Sequence, residues 1–171
     1  MIPSRRMAAG LGVAALILAA DQLSKLWILR GLDLPARGNV PVIPRLLDLT
    51  MVWNHGVTFG LLQARGPWGQ ILLAAIAIAV IAGLLLWLRR AENFLVAASI
   101  GGIAGGALGN VLDRFRYGMV VDFIHVHFGT AELFPYVFNV GDSAIVIGVA
   151  ALLIESFLAP RARLPAEPPH A

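Results

Sequence analysis

Four long apolar runs, residues 7–29, 68–88, 94–112 and 137–158, constrain this chain more than any other feature. Each holds roughly 20 residues, the length a helix needs to cross the hydrocarbon core of a bilayer. Hydrophobic residues make up 58% of the chain and charged residues only 13%. With a mean hydropathy of +0.80, this lies outside the range of soluble globular domains. Trp27, Trp68 and Trp87 fall near the ends of the runs, where indole rings favour the headgroup region. The reading is an all-α membrane protein: a four-transmembrane-helix bundle forming one integral membrane domain over residues 1–159. The first run could be a cleaved signal peptide, because Arg5 and Arg6 precede it and small residues follow. Apolar character resumes beyond Asp21 and Lys25, which favours a retained anchor.

Orientation follows from arginines. Arg5 and Arg6, Arg89 and Arg90, and Arg161 and Arg163 must share one side. The positive-inside rule makes that side the cytoplasm. Both termini are then cytoplasmic, with outer loops at residues 30–67 and 113–136, although Arg30, Arg37, Arg45 and Arg65 weaken the contrast. The proline-rich stretch 160–171 is expected to be a disordered cytoplasmic tail. The basic balance points to membrane lipids and topology, and no clustered basic face suits nucleic acid. The absence of cysteine excludes disulfides and thiol chemistry.

The remaining ionisable residues converge on the outer side. Asp21 and Lys25 lie in the outer half of the first helix, Asp113 and Arg114 at the outer end of the third, Asp122 in the following loop, and Asp142 within the fourth. Lys25 and Asp142 would both sit roughly 7 Å below the outer surface. Intramembrane charge is expensive and usually functional. Simpler roles also fit: Asp21 and Lys25 have i, i+4 spacing for an ion pair, and Arg114 and Arg116 could neutralise Asp113. Asn139 and Asp142 resemble an N-cap and an acidic N3 residue. Asp122 differs, flanked by Val120, Val121, Phe123 and Ile124 with no adjoining cation, so its pKa should rise.

If Asp122 and Asp142 approach closely, repulsion and desolvation keep one proton between them. One can then deprotonate water while the other polarises a carbonyl, as in aspartic peptidases. Asn110 and Asn139 each precede an aspartate by three and could orient it or cap a helix end. Gly101, Gly105 and Gly109, with Gly102 and Gly106 in a second row, indicate close helix packing, since no lysine or serine completes a phosphate loop. Residues 39–62 read as a small β-containing platform in the first periplasmic loop, either a cap over the bundle or a surface for an extended peptide. His125 and His127 alternate along a possible strand and would lie on one face beside Asp122. With no third ligand at a recognised spacing, neither a metal nor a cofactor is expected.

These residues together resemble the bacterial lipoprotein signal peptidases, or signal peptidase II. The motifs are Asp21-Gln22-x-x-Lys25, Asn54-x-Gly56-x-x-Phe59-Gly60, Gly105-Gly106-Ala107-x-Gly109-Asn110-x-x-Asp113-Arg114, Val120-Val121-Asp122-Phe123 and Phe138-Asn139-x-x-Asp142. The resemblance implies an inner-membrane aspartic endopeptidase that cuts diacylglyceryl prolipoproteins just before the lipidated cysteine. It makes Asp122 and Asp142 the dyad and gives supporting roles to Asp21, Lys25, Asn54, Gly56, Asn110, Asp113, Arg114 and Asn139. A monomer is expected. Thr58 and Gly141 stand where the pattern usually has alanine. Rival readings are a serine/lysine peptidase using Ser143 and Lys25, a proton-coupled transporter and a structural assembly protein. A transporter would spread polar groups along a path, whereas here they bunch at one face and the second helix has no ionisable residue.

Overall fold

A computed structural model of the chain describes residues 4–56, 66–127 and 136–158. Thr58 and the stretch 160–171 lie outside the described residues. Among the described residues, four helices are long and apolar enough to cross a membrane. The first, α1 (Arg5–Leu26), starts where the Ser4 hydroxyl accepts a hydrogen bond from the Met7 N–H and continues as a π-helical turn, Trp27–Gly31. A short helix, α2 (Leu34–Arg37), follows and closes at Gly38. The second span is α3 (Pro67–Leu88), entered through Gly66 at φ +87°. The third, α4 (Phe94–Tyr117), is capped by the Asn93 side chain and ends at Gly118, φ +69°. The fourth is α5 (Val140–Leu158).

Two boundaries differ from those expected. The third span, placed at residues 94–112, runs five residues further, because no helix-stopping residue precedes Gly118, which takes the left-handed conformation. The fourth, placed at 137–158, begins at Val140, because Val137 and Phe138 pair with a strand and Asn139 is a cap.

The helix α4 is the axis of the bundle. About 72% of its most apolar stretch is buried inside the protein, against 11–17% for the other spans, which present theirs to lipid. Its glycine rows explain this. A Cβ on Gly101 would lie 2.1 Å from the Gly10 carbonyl oxygen, and one on Gly105 would lie 2.4 Å from that of Ala14, so this row receives α1 at backbone contact. A Cβ on Gly106 would come within 2.3 Å of the Gly141 oxygen, so the second row receives α5. Small residues allow such approach where lipid supplies no hydrophobic drive for association. By contrast α3 packs on α4 through side chains, with Ala74 and Ile81 against Ala104 and Val111.

One end of the bundle carries a four-stranded antiparallel sheet in the order β1-β2-β3-β4. The first inter-helix loop supplies β1 (Asn39–Ile43) and β2 (Leu47–Asn54), and the chain after α4 supplies β3 (Val120–Val126) and β4 (Val137–Phe138). Both connections therefore build the platform. Val121 and Phe123 of β3 pack with Ile28 and Leu34 in a buried cluster, which seats the sheet on the outgoing end of α1. A one-residue irregularity between Leu49 and Val52 leaves Val52 opposite Asp122.

Replacing Gly106 by valine should force α4 and α5 apart at a cost of about 1–3 kcal/mol, the usual range for overpacking. A Cβ on Gly83 of α3 would have nothing within 4 Å, so Gly83→Ala should be neutral or stabilising by up to about 1 kcal/mol. Thermal unfolding in detergent measures both, and equal melting temperatures would refute the close-packing account.

Candidate active site

The polar residues meet between the platform and the bundle. Asp21, Lys25, Asn110, Asp113, Asp122, Asn139 and Asp142 are all buried. They come from α1, α4, β3 and the start of α5.

The foundation is an ion-pair triad. Lys25 Nζ lies 2.8 Å from Asp21 Oδ2 and 2.7 Å from Asp113 Oδ2, and donates to Asn110 Oδ1 at 3.0 Å. The i, i+4 pair of α1 is thus present, and its second carboxylate comes from α4. This corrects the assignment of Asp113 to Arg114 and Arg116. Adjacent positions on a helix do not face one another, and Arg116 is taken instead by Gln22 Oε1 at 2.5 Å. Each carboxylate also ties down backbone: Asp21 Oδ1 accepts from the Gly141 N–H at 2.9 Å, and Asp113 Oδ2 from the Val121 N–H at 3.1 Å. The first holds the N-terminus of α5, where the helix dipole favours a negative charge; the second holds β3.

Two asparagines carry this order to the aspartates. Asn110 accepts the Lys25 hydrogen bond on its oxygen, so its amide nitrogen points away and donates to Asp142 Oδ1 at 2.9 Å. Asn139 caps α5, its Oδ1 accepting from the Asp142 N–H at 2.8 Å, while its Nδ2 donates to Asp122 Oδ1 at 2.7 Å and to Asn110 Oδ1 at 3.1 Å. Capping and carboxylate orientation are therefore one arrangement. Asn54, at the end of β2, donates to Asp122 Oδ2 at 2.9 Å. Its own Oδ1 accepts from the Gly56 N–H at 2.8 Å, and the Gly56 carbonyl accepts from Arg114 Nη2 at 2.6 Å.

Asp122 stands outside the membrane-spanning helices, and its carboxyl is pushed up to about 7, first by burial and then by the charge of Asp142. The Asn54 and Asn139 hydrogen bonds oppose the rise without cancelling it.

Gln22 is a member that sequence reasoning did not single out. Its Nε2 donates to Asp21 Oδ2, the Gly109 carbonyl and Asp113 Oδ1 at 3.1–3.2 Å, bridging the triad's carboxylates. Its place between Asp21 and Lys25 in the motif was the available signal. Gly109 has a specific reason to be glycine, since a Cβ there would lie 2.2 Å from Asp21 Oδ2. Gly141 likewise suits its place: a Cβ would lie 2.9 Å from the Gly106 oxygen and 3.1 Å from Asp21 Oδ1.

His125 and His127 do lie on one face of β3, with ring centroids 5.4 Å apart, but not beside Asp122. Strand alternation puts odd-numbered residues on the opposite face, where His125 lies 3.4 Å from Thr50 Oγ1 and His127 3.3 Å from Asp48. Among the described residues no three His, Asp or Glu side chains are gathered to hold a metal ion. Ser143 donates to the Asn139 carbonyl at 2.9 Å, and no hydrogen bond joins it to Lys25 among the described residues. An apolar cavity of about 250 Å³ runs along α3 and α4, lined by residues including Leu73, Ile76, Val80 and Ile103, and reaches Asn110 and Arg114.

Residues 13–158 match the family model for signal peptidase (SPase) II. The Lipoprotein signal peptidase of Rhodopseudomonas palustris is 44% identical over 157 residues, covering 90% of this chain and 94% of that protein. The Lipoprotein signal peptidase of Methylorubrum extorquens is 47% identical over 154 residues, covering 88% of each. Two solved bacterial membrane enzyme structures, obtained by the in meso method at 2.3 and 1.9 Å, superpose with TM-scores of 0.74 and 0.73 at 27% and 28% identity. The first covers 92% of this chain and 94% of its own, the second 90% and 95%. A bundle of four apolar helices with a buried polar site beneath a sheet, matched along nearly its whole length, places this chain in the signal peptidase II family of membrane proteases.

Proposed function

We propose that the chain is an aspartic endopeptidase that removes the signal peptide of diacylglyceryl prolipoproteins, cutting just before the lipidated cysteine. The observation that carries this reading is the linkage of Asp122 to Asp142 through Asn139 and Asn110. Two buried carboxylates that repel each other hold one proton between them, and burial together with the charge of Asp142 favours the protonated form of Asp122. Asp142 then takes a proton from water as the oxygen attacks the scissile carbonyl carbon, and Asp122 delivers its proton to the carbonyl oxygen. Collapse of the tetrahedral intermediate returns a proton to the carbonyl-side aspartate and transfers the other from Asp142 to the leaving amine.

The protein is read as a monomer of the inner membrane with both termini cytoplasmic and the platform on the periplasmic face. The arginines at Arg5, Arg6, Arg89 and Arg90 support that orientation. The acyl chains of the substrate would stay in the bilayer, holding the peptide at the depth of the dyad, while the apolar cavity along α3 and α4 offers its signal helix or a chain a place to pack.

Asp122→Asn and Asp142→Asn should each lower kcat by about 10²–10⁴-fold while the protein still folds in membranes; turnover within a few-fold of wild type in either would remove the dyad. The pH profile carries its own sign. A carboxyl with pKa raised to about 7 holds its proton below that pH and loses it above, so kcat/KM should fall as pH rises through about 7. The Asn54 hydrogen bond lowers the Asp122 pKa, so Asn54→Ala should move this alkaline limb upward; a downward move would assign the limb to another group. Unlipidated prolipoprotein should be cleaved more than about tenfold more slowly than lipidated substrate in the same bilayer, because positioning at depth is lost. Equal rates would show that the lipid is not recognised.

A further inference from the structure

At the end of the bundle opposite the platform, α3 closes into the turn that leads to α4. There Leu86, Trp87, Arg89 and Arg90 line an open cavity of about 570 Å³. Leu86 is 61% and Trp87 48% exposed, and both arginines are exposed. The backbone N–H groups of Arg89 and Arg90 turn back to the Trp87 carbonyl, which leaves the side chains to project from a closed turn. Among the described residues neither guanidinium has a carboxylate within 4 Å. Among the described residues the acids at this end are Glu92, two residues beyond Arg90, and Glu155, which accepts a hydrogen bond from Asn93 at 2.8 Å. A further guanidinium, that of Arg6, reaches the same turn and donates to the Ala91 carbonyl at 3.3 Å.

The order of chemistry along this corner is that of a lipid crossing an interface: an aliphatic side chain, an indole, then two guanidinia. Indole rings settle at the level of glycerol and headgroup, and guanidinium groups bind phosphate oxygens through paired N–H donors. Basic pockets at the ends of membrane helices attract anionic headgroups for these reasons. We propose that this corner is a binding site for one anionic glycerophospholipid, its phosphodiester held by Arg89 and Arg90 and an acyl chain laid along Leu86 and Trp87. The occupant would fasten the outlying helix: among the long helices α3 packs chiefly on α4, touching α1 through Leu88 at Gly10, and little of its apolar stretch is buried inside the protein.

The test is native mass spectrometry of the full chain released from detergent with phosphatidylglycerol or phosphatidylcholine. Wild type should retain phosphatidylglycerol roughly tenfold better than phosphatidylcholine, and Arg89→Gln with Arg90→Gln should erase the preference. Arg30→Gln with Arg37→Gln, an equal charge change at the platform end, should keep it. Loss in both double variants would reduce the effect to net charge and overturn the site, as would an unchanged preference in the first. Displacement of the lipid by glycerol phosphate or inorganic phosphate at equal concentration would mark a bare anion site and also overturn the proposal. A photoreactive phosphatidylglycerol in nanodiscs tests the wild-type protein without substitution: label should concentrate on the segment 86–90, and label spread evenly over the bundle would overturn it.

Discussion

Lys25 stands between Asp21 and Asp113, and the rest of the polar site is arranged outward from that ammonium. Removing these groups from water costs several kcal/mol per ion, recovered only if the geometry is good and the remaining acceptors are filled. Here they are filled. One carboxylate accepts from the start of α5, the other from β3, and Gln22 donates to both. The triad thus joins α1 and α4 to the start of α5 and to β3. Loss of its one cation would leave two carboxylates buried side by side, the costly outcome for a broken buried pair.

From that centre, order passes through amides. An asparagine side chain can be turned over with little change of shape, and its neighbours decide which way it sits. The ammonium of Lys25 can only donate, so Asn110 must offer it oxygen and aim nitrogen at Asp142. Asn139 is fixed in the same manner by the Asp142 N–H that it caps. The proposed dyad is oriented by donors whose direction was settled elsewhere, which is how a buried polar network avoids reorganising during a reaction.

The spans were legible because length and hydropathy alone define a helix in lipid. Both glycine rows were legible for packing, though which helix each row met was not, since spacing names a face and not its partner. Asp113 was misassigned because proximity in sequence suggested arginines, while the fold supplied Lys25 from another helix. The histidines were placed beside Asp122 by nearness, yet strand parity separates them. The π-helical turn after Leu26 left no periodic mark, and of the share of the sheet supplied after α4 only the alternation of His125 and His127 hinted. What the motifs carried was the membership of the site; what they could not carry was its wiring.

The irregularity between Leu49 and Val52 has a meaning for how this segment can change. Thr50 and Met51 together span the interval that Phe123 alone spans on β3, so loss of either would leave a regular ladder with Val52 still opposite Asp122 and Asn54 still on its face. Beyond the irregularity there is no such slack. Deletion of Trp53 would set Asn54 opposite Val121, on the face of the histidines and away from Asp122. The strand carries its spare residue ahead of the site, and the count that is fixed is the one from Val52 to Asn54.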